Sequence, residues 1–274
     1  MPELPEVETV RRGLRPAIGV PITGVRIARR DVVRDDAGRR RGGLGPGTLL
    51  EGDRVATVER HGKQLALVGA SGRVVLIHLG MSGQVLLGAD AHGGDHTHAV
   101  WTLGDGRRIA FRDPRRFGGI WLMPDTAALK ARWRTLGPDG LGVRGKALAG
   151  NLGGSRRPLK AGLLDQRAIA GVGNIYADES LFEARIAPQR PCDTLSTTEW
   201  DRLAEAIRGV LGRAVKQGGS TLRDYRRPDG SAGGAAVAHR VYGKSGKPCP
   251  SCGGLIQRAL LAQRSTCWCP HCQH

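Results

Sequence analysis

A chain of 274 residues can bury a substantial core and is long enough for two domains. Its 42 basic against 25 acidic side chains leave a formal charge of +17 and an isoelectric point near 10.7, the balance of a protein with a polyanionic partner such as nucleic acid or an anionic membrane surface. The sequence offers no run of 18 apolar residues and no basic-then-apolar leader, so membrane spanning and secretion are not expected and a cytoplasmic location is.

The opening "MPELPEVETV" predicts a helix. Pro5 suits a first helical turn, Glu6 and Glu8 suit the positive end of the dipole, and Val7, Val10 and Leu14 recur at helical spacing. Initiator methionine is generally removed before a small residue, which would leave Pro2 with a secondary amine at the chain start. From about residue 20 to 123, short apolar runs alternate with glycine-rich turns ("GVRIARR", "DRVATVER", "KQLALVG", "RVVLIHLG", "GQVLLGA", "HAVWTL", "RRIAF", "GGIWLM"), predicting an antiparallel sandwich or barrel. The stretch 35–47 reads as a solvated loop. After "MPD" (123–125) the pattern turns helical. One helix is expected to start at Asn174 within "GVGNIYADESLFEAR". Another starts at the Ser196–Glu199 capping box, carries Trp200, Leu203, Ile207, Val210 and Ala214 on one face, and ends at Gly218 and Gly219. The segment 226–238 reads as a mobile loop, followed by a cysteine-bearing module.

That module carries the most specific local signal. Cys249-Pro-Ser-Cys252 and Cys269-Pro-His-Cys272 are two Cys-Pro-x-Cys knuckles separated by 16 residues, the spacing of a tetrahedral four-thiolate zinc ribbon, with one structural zinc expected per chain. Cys267 is a rival ligand outside either knuckle. The module's tip, "LLAQRST", presents Arg264 as a candidate DNA contact. Asn174, after two glycines, offers a helix start able to bind phosphate. Met81 in "IHLGMSG" and Phe117 in "DPRRFGG" are bulky apolar residues among glycines and arginines, as a wedge would be that fills the gap left by an extruded nucleotide, with Arg115 facing the orphaned base.

"PELPEVETVRRGL", "HLGMSG", "DPRRFG", "GVGNIYADESLF", "QGGSTLRDY" and "CPSC…QRSTCWCPHCQ" together closely resemble the bacterial formamidopyrimidine-DNA glycosylases, in order and over nearly the whole chain. The resemblance implies an α+β fold: an N-terminal antiparallel β-sandwich with a catalytic N-terminal helix (1–135), a helix–two-turn–helix domain (136–238) and a zinc finger (239–274). It implies excision of oxidised purines from damaged double-stranded DNA and β,δ-elimination at the abasic site through an iminium on Pro2, by a monomer associated with the nucleoid. Catalytic roles fall to Pro2, Glu3, Lys63 and Arg264. DNA contacts fall to Met81, His98, Arg115, Phe117, Lys160 and Asn174, and zinc ligation to Cys249, Cys252, Cys269 and Cys272. The sequence departs from the family pattern twice: residues 230–238 lack an aromatic, and Thr97 stands between His96 and His98 where an acidic residue is usual. The first departure leads us to expect faster excision of ring-opened purines than of 8-oxoguanine. Two other readings stay open, an endonuclease VIII-type enzyme for oxidised pyrimidines and a non-catalytic zinc-ribbon DNA-binding protein.

Overall fold

The computed structural model describes residues 2–39, 48–91 and 94–274, so Met1 and most of the 35–47 loop lie outside the described residues. The chain forms two compact units, 1–135 with 217–234 and 136–216 with 235–274.

The first unit opens with helix α1 (Leu4–Gly13). It continues, among the described residues, through β1 (Ile22–Ile27), β2 (Val33–Arg34), β3 (Val55–His61), β4 (Gln64–Gly69), β5 (Val74–His78), β6 (Gln84–Gly88), β7 (Thr97–Leu103), β8 (Arg108–Arg112) and β9 (Gly119–Met123), and then helix α2 (Thr126–Trp133). Each of the eight apolar runs in the sequence becomes a strand. The extra one, β2, is two residues long and pairs in parallel with β9 (Val33 opposite Ile120), too short to leave a periodic signal.

The strands form a four-stranded sheet, β1-β7-β8-β6, and a five-stranded sheet, β2-β9-β5-β4-β3. Period-two alternation explains the continuous apolar run of β5: Val75 and Ile77 join the main core with Val85, Trp101 and Phe111, while Val74 and Leu76 join a second core with Met123 and Leu129 of α2. Helix α1 seats Val7, Val10 and Leu14 in the main core. Arg60 of β3 pairs with buried Glu8 of α1 at 3.0 Å, and Arg11 and Arg12 also bond to that carboxylate. Segment 226–238, expected to be mobile, is tied by backbone bonds: Leu87 N–H donates to the Pro228 carbonyl, Arg227 N–H to Ser231, and Gly234 N–H to Gln217.

The second unit contains α3 (Gly145–Leu152), α4 (Leu159–Leu164), α5 (Asn174–Glu183), α6 (Thr197–Lys216) and a hairpin, β10 (Gln257–Leu261) with β11 (Arg264–Trp268). The expected capping box forms: Ser196 N–H donates to Glu199 Oε2 at 2.9 Å, and Glu199 N–H to Ser196 Oγ at 3.3 Å. The five apolar positions expected on one face of α6 are all buried. Gly218 and Gly219 follow the helix with φ of 77° and 79°, a left-handed pair that glycine adopts without a Cβ clash. No helix among the described residues is long and apolar enough to cross a membrane.

Candidate functional site

Pro2 and Glu3 are buried at the head of α1. Glu3 is the N-cap, and its side chain accepts from the Glu6 backbone in a capping box. The fully buried Glu6 carboxylate returns the bond, taking Glu3 N–H on Oε2 and Ser220 N–H on Oε1, both at 2.7 Å. From the sequence alone Glu6 is a dipole residue and nothing more. Its second partner lies 214 positions away, a separation at which no local pattern gives warning. Gly219 leaves the space that Glu6 occupies, and the Tyr225 hydroxyl donates to the Gly218 carbonyl at 3.2 Å. Burial, and then the Glu6 charge, push the Tyr225 phenol up, so it serves as a neutral donor. The start of α1 is therefore held by its own helix and by the 217–234 segment.

Lys63 sits in the tight turn between β3 and β4, the hairpin that pairs with α1 through Arg60, and is largely buried. His78 ends β5 beside Gln64 and accepts the Gly80 N–H on Nδ1 at 3.1 Å. Burial, then the charges of Lys63 and Arg132, bring its pKa down to about 4, so at neutral pH it is an uncharged Nε2–H donor.

Met81 and Phe117 are 40% and 57% exposed, unlike the other large apolar residues of their sheets, and Arg115 lies over the Phe117 ring at 4.9 Å. The structure thus brings the three wedge candidates onto two adjoining loops. His98, expected at the DNA, is instead buried, with Nε2 at 2.8 Å from the carbonyl of Asp113 at the base of one of these loops.

In the second unit, Gly173 is the N-cap of α5 and Asn174 its first helical residue, so Asn174 does not cap the helix. Its Nδ2 donates to the Ser265 carbonyl at 3.1 Å. Lys160, also expected to contact DNA directly, is fully buried: its ammonium pairs with Asp178 at 2.6 Å and donates to that same Ser265 carbonyl at 3.0 Å. Asp178 takes Cys267 N–H on its other oxygen. Both residues thus grip the strand beginning at Arg264 instead of pointing outward. Arg264 itself is exposed beside a two-residue turn, Ala262 and Gln263, whose φ values of 48° and 58° are those of a tight hairpin of the primed type.

The Sγ atoms of Cys249, Cys252, Cys269 and Cys272 all lie within 4.8 Å of one another, with Cys249–Cys272 at 3.9 Å and Cys252–Cys269 at 3.5 Å. A tetrahedron with Zn–S bonds of about 2.3 Å has edges of roughly 3.8 Å, so this donor set fits zinc. Cys267 is absent from the cluster and packs with Phe182 and Val241 in the module's core, which excludes it as the rival ligand.

Family models cover most of the chain: the formamidopyrimidine-DNA glycosylase N-terminal domain matches residues 1–120, the formamidopyrimidine-DNA glycosylase H2TH domain 136–226, and the zinc finger found in FPG and IleRS 246–274. The zinc-finger match and the thiolate geometry agree on one structural zinc. The formamidopyrimidine-DNA glycosylases of Thermus thermophilus and Rhodopseudomonas palustris are 46% and 42% identical, each over 100% of this chain and 98% and 100% of their own. Among solved structures, the Thermus thermophilus MutM (Fpg) protein aligns with a TM-score of 0.86 at 43% identity, covering 99% of this chain and 98% of that one. Lactococcus lactis Fpg bound to DNA containing an abasic site aligns at 0.86 and 31%, covering 99% of each chain. A variant of the same enzyme with Fapy-dG DNA aligns at 0.87 and 32%, covering both chains completely. With three consecutive domain matches and full-length relatives above 40% identity, the chain belongs to the formamidopyrimidine-DNA glycosylase family.

Proposed function

We propose that this protein excises oxidised purines, ring-opened formamidopyrimidines and 8-oxoguanine, from double-stranded DNA and cleaves the abasic site by β,δ-elimination. The observation that carries this reading is the buried Pro2–Glu3 start, clamped through Glu6, in the same unit as the exposed Met81, Arg115 and Phe117. The secondary amine of Pro2 attacks C1′ of the sugar, the glycosidic electron pair leaves with the base, and the proton of the amine N–H passes to the base. The C1′–O4′ bond then breaks, O4′ taking up a proton to become a hydroxyl, and C1′ is left double-bonded to the Pro2 nitrogen as an iminium. That nitrogen has no proton to lose, so it stays cationic and acidifies C2′. Loss of the C2′ proton expels the 3′ phosphate, and a second elimination expels the 5′ phosphate. An α-amino group titrates near 7.7–8.0 as a typical value, and the positive end of α1 favours the neutral, attacking form. Glu3 protonates O4′ or carries the C2′ proton.

Lys63 and Arg264 supply cationic contacts to the substrate backbone, while Lys160, Asn174 and His98 act through the segments they hold. The zinc fixes the fold of the Arg264 hairpin. The enzyme works as a cytoplasmic monomer held at the nucleoid by DNA, with catalysis assigned to 1–135, helical DNA binding to 136–238 and the finger to 239–274. Borohydride trapping on a duplex bearing a ring-opened guanine tests this directly. A covalent protein–DNA adduct is expected. Binding without an adduct would identify a non-catalytic DNA-binding protein, and adducts formed only on oxidised pyrimidines would identify the sister activity.

A further inference from the structure

The loop 79–83 carries Met81 from β5 to β6, and the loop 113–118 carries Arg115 and Phe117 from β8 to β9. Both therefore cross between the two sheets. They do so side by side, because β5 and β9 are neighbours in one sheet (His78 opposite Gly119) and β6 and β8 in the other (Gln84 opposite Arg112). Their backbones meet: a Cβ on Gly80 (φ 61°) would collide with the Phe117 carbonyl and the Gly118 nitrogen, and one on Gly118 with the His78 carbonyl oxygen.

One carboxylate joins the pair. Asp113 is 0% exposed; Ser82 Oγ donates to its Oδ1 at 2.6 Å, and Gly118 N–H to its Oδ2 at 2.7 Å. Ser82 Oγ, having directed its proton to Asp113, accepts the Arg115 N–H at 3.1 Å. The Asp113 carbonyl takes a bond from His98, and its N–H donates to the carbonyl of His96, a residue at φ 69°. Hydrogen bonds to a buried carboxylate are short and stronger than neutral ones, and one left unmade exposes the carboxylate's full desolvation penalty. The anchored ends of the loops are buried, and their tips, Met81 and Phe117, are exposed.

We infer that Asp113 and Ser82 are positioning residues for base extrusion, locking the two crossover loops into one rigid wedge before DNA arrives. This rests on the proposed excision of a base from duplex DNA, with Met81 and Phe117 as the wedge that the sequence suggests. A preformed wedge does not lose loop entropy at the moment of insertion, when the stack must be opened. Asp113→Asn removes one acceptor, so the Ser82 hydroxyl and the Gly118 N–H can no longer both be accepted. Ser82→Ala removes the relay to Arg115.

The test is single-turnover excision of a ring-opened guanine from duplex and from single-stranded DNA by Ser82→Ala and Asp113→Asn, alongside borohydride trapping on a single-stranded abasic oligonucleotide. Duplex excision should fall by about tenfold or more, the size of one lost charge-assisted hydrogen bond, while single-strand excision and trapping change by less than about threefold. Adding Met81→Ala to Ser82→Ala should cost little beyond Met81→Ala alone, because both disable one wedge. Equal losses on both substrates, an unchanged duplex rate, or additive losses in the double variant would overturn the inference. Failure of the parent protein to trap would instead overturn the reading on which it rests. Should Asp113→Asn melt below the assay temperature, Ser82→Ala decides alone, since it leaves the carboxylate and its Gly118 bond in place.

Discussion

Pro2 differs from every other proline of the chain in having a nitrogen that becomes an amine once the preceding residue is gone. It is buried at the head of α1, beside a Glu3 N–H held by Glu6 at 2.7 Å and at the positive end of the helix. Pro2→Gly replaces the secondary amine by a flexible primary one, and retention of Met1 acylates it. Either change should reduce base excision and borohydride trapping by three orders of magnitude or more, an expectation drawn from the ~10³-fold and larger losses on removing a covalent nucleophile, while Kd for an uncleavable abasic analogue shifts by less than about threefold. Trapping at the parent level by either variant would remove Pro2 from the mechanism. Glu8, five residues into the same helix, titrates with the fold. Burial alone would raise its pKa, but the bonds from Arg11, Arg12 and Arg60 outweigh burial and bring it down to about 2. A carboxylate whose folded pKa is depressed contributes stability that is fully present above its ordinary value near 4.5 and is lost as pH falls through 2. Acid melting of the parent should therefore be steeper between these values than that of Glu8→Gln, with a difference on the order of 2–3 kcal/mol across the window. Parallel curves would show that the cluster does not couple to folding.

At the scale of elements, the β10–β11 hairpin shows how a buried ion pair can act on an exposed residue. Lys160 of α4 and Asp178 of α5 meet at 2.6 Å with no exposure, and both Lys160 and Asn174 bind the carbonyl of Ser265, the residue after Arg264. Removing one member of such a pair typically costs about 3–5 kcal/mol, because the other charge is left uncompensated. Lys160→Met should lower the melting midpoint accordingly, and below that midpoint should weaken DNA binding with the same signature as Arg264→Ala, a flattening of the salt slope by about 0.9. The double variant should lose no more affinity than Arg264→Ala alone; additive losses would mean that Lys160 reaches DNA by its own route. This division is not legible in the sequence. The cysteine knuckles, the Ser196–Glu199 cap and eight of the strands are, because each is written in spacings shorter than a turn or a strand. Burial of Lys160 depends on Asp178 and Ser265, which stand 18 and 105 positions away. Nothing in "RPLKAGLL" distinguishes a lysine pointing inward from one pointing at a phosphate.

For the molecule as a whole, the chain returns to the first unit over residues 217–234, close to the head of α1. Ser220 docks on Glu6, Tyr225 follows at the base of the segment, and residues 230–238 hold three glycines, four alanines and no aromatic. A loop closing over an extruded base must order its backbone, at roughly 1–2 kcal/mol for each residue fixed, and glycines raise that figure while a buried aromatic would offset part of it. Some of the ordering is already present here. Gly233 N–H donates to Thr221 Oγ1 at 2.8 Å and Gly234 N–H to Gln217 at 2.9 Å, and a Cβ on Gly233 would strike the carbonyls of Gly218 and Gly219. These bonds fix residues 217–234 within the first unit; residues 235–238, which fall in the second unit, include Val237 at 88% exposure. A ring-opened purine offers amide-like groups that do not require the cap, so single-turnover excision from duplexes opposite cytosine should be clearly faster for the formamidopyrimidine than for 8-oxoguanine. The gain-of-function variant, Val237→Tyr, follows from exposure: Ala235 is 3% exposed and has no room for a ring, whereas Val237, 88% exposed, leaves a tyrosine in its place free at the surface. It should raise the 8-oxoguanine rate selectively, by about three- to tenfold if the ring recovers roughly 1 kcal/mol of apolar burial, with the rate on the ring-opened base unchanged. A parent enzyme that already removes 8-oxoguanine as fast as the ring-opened base would show that closure of this loop does not depend on an aromatic.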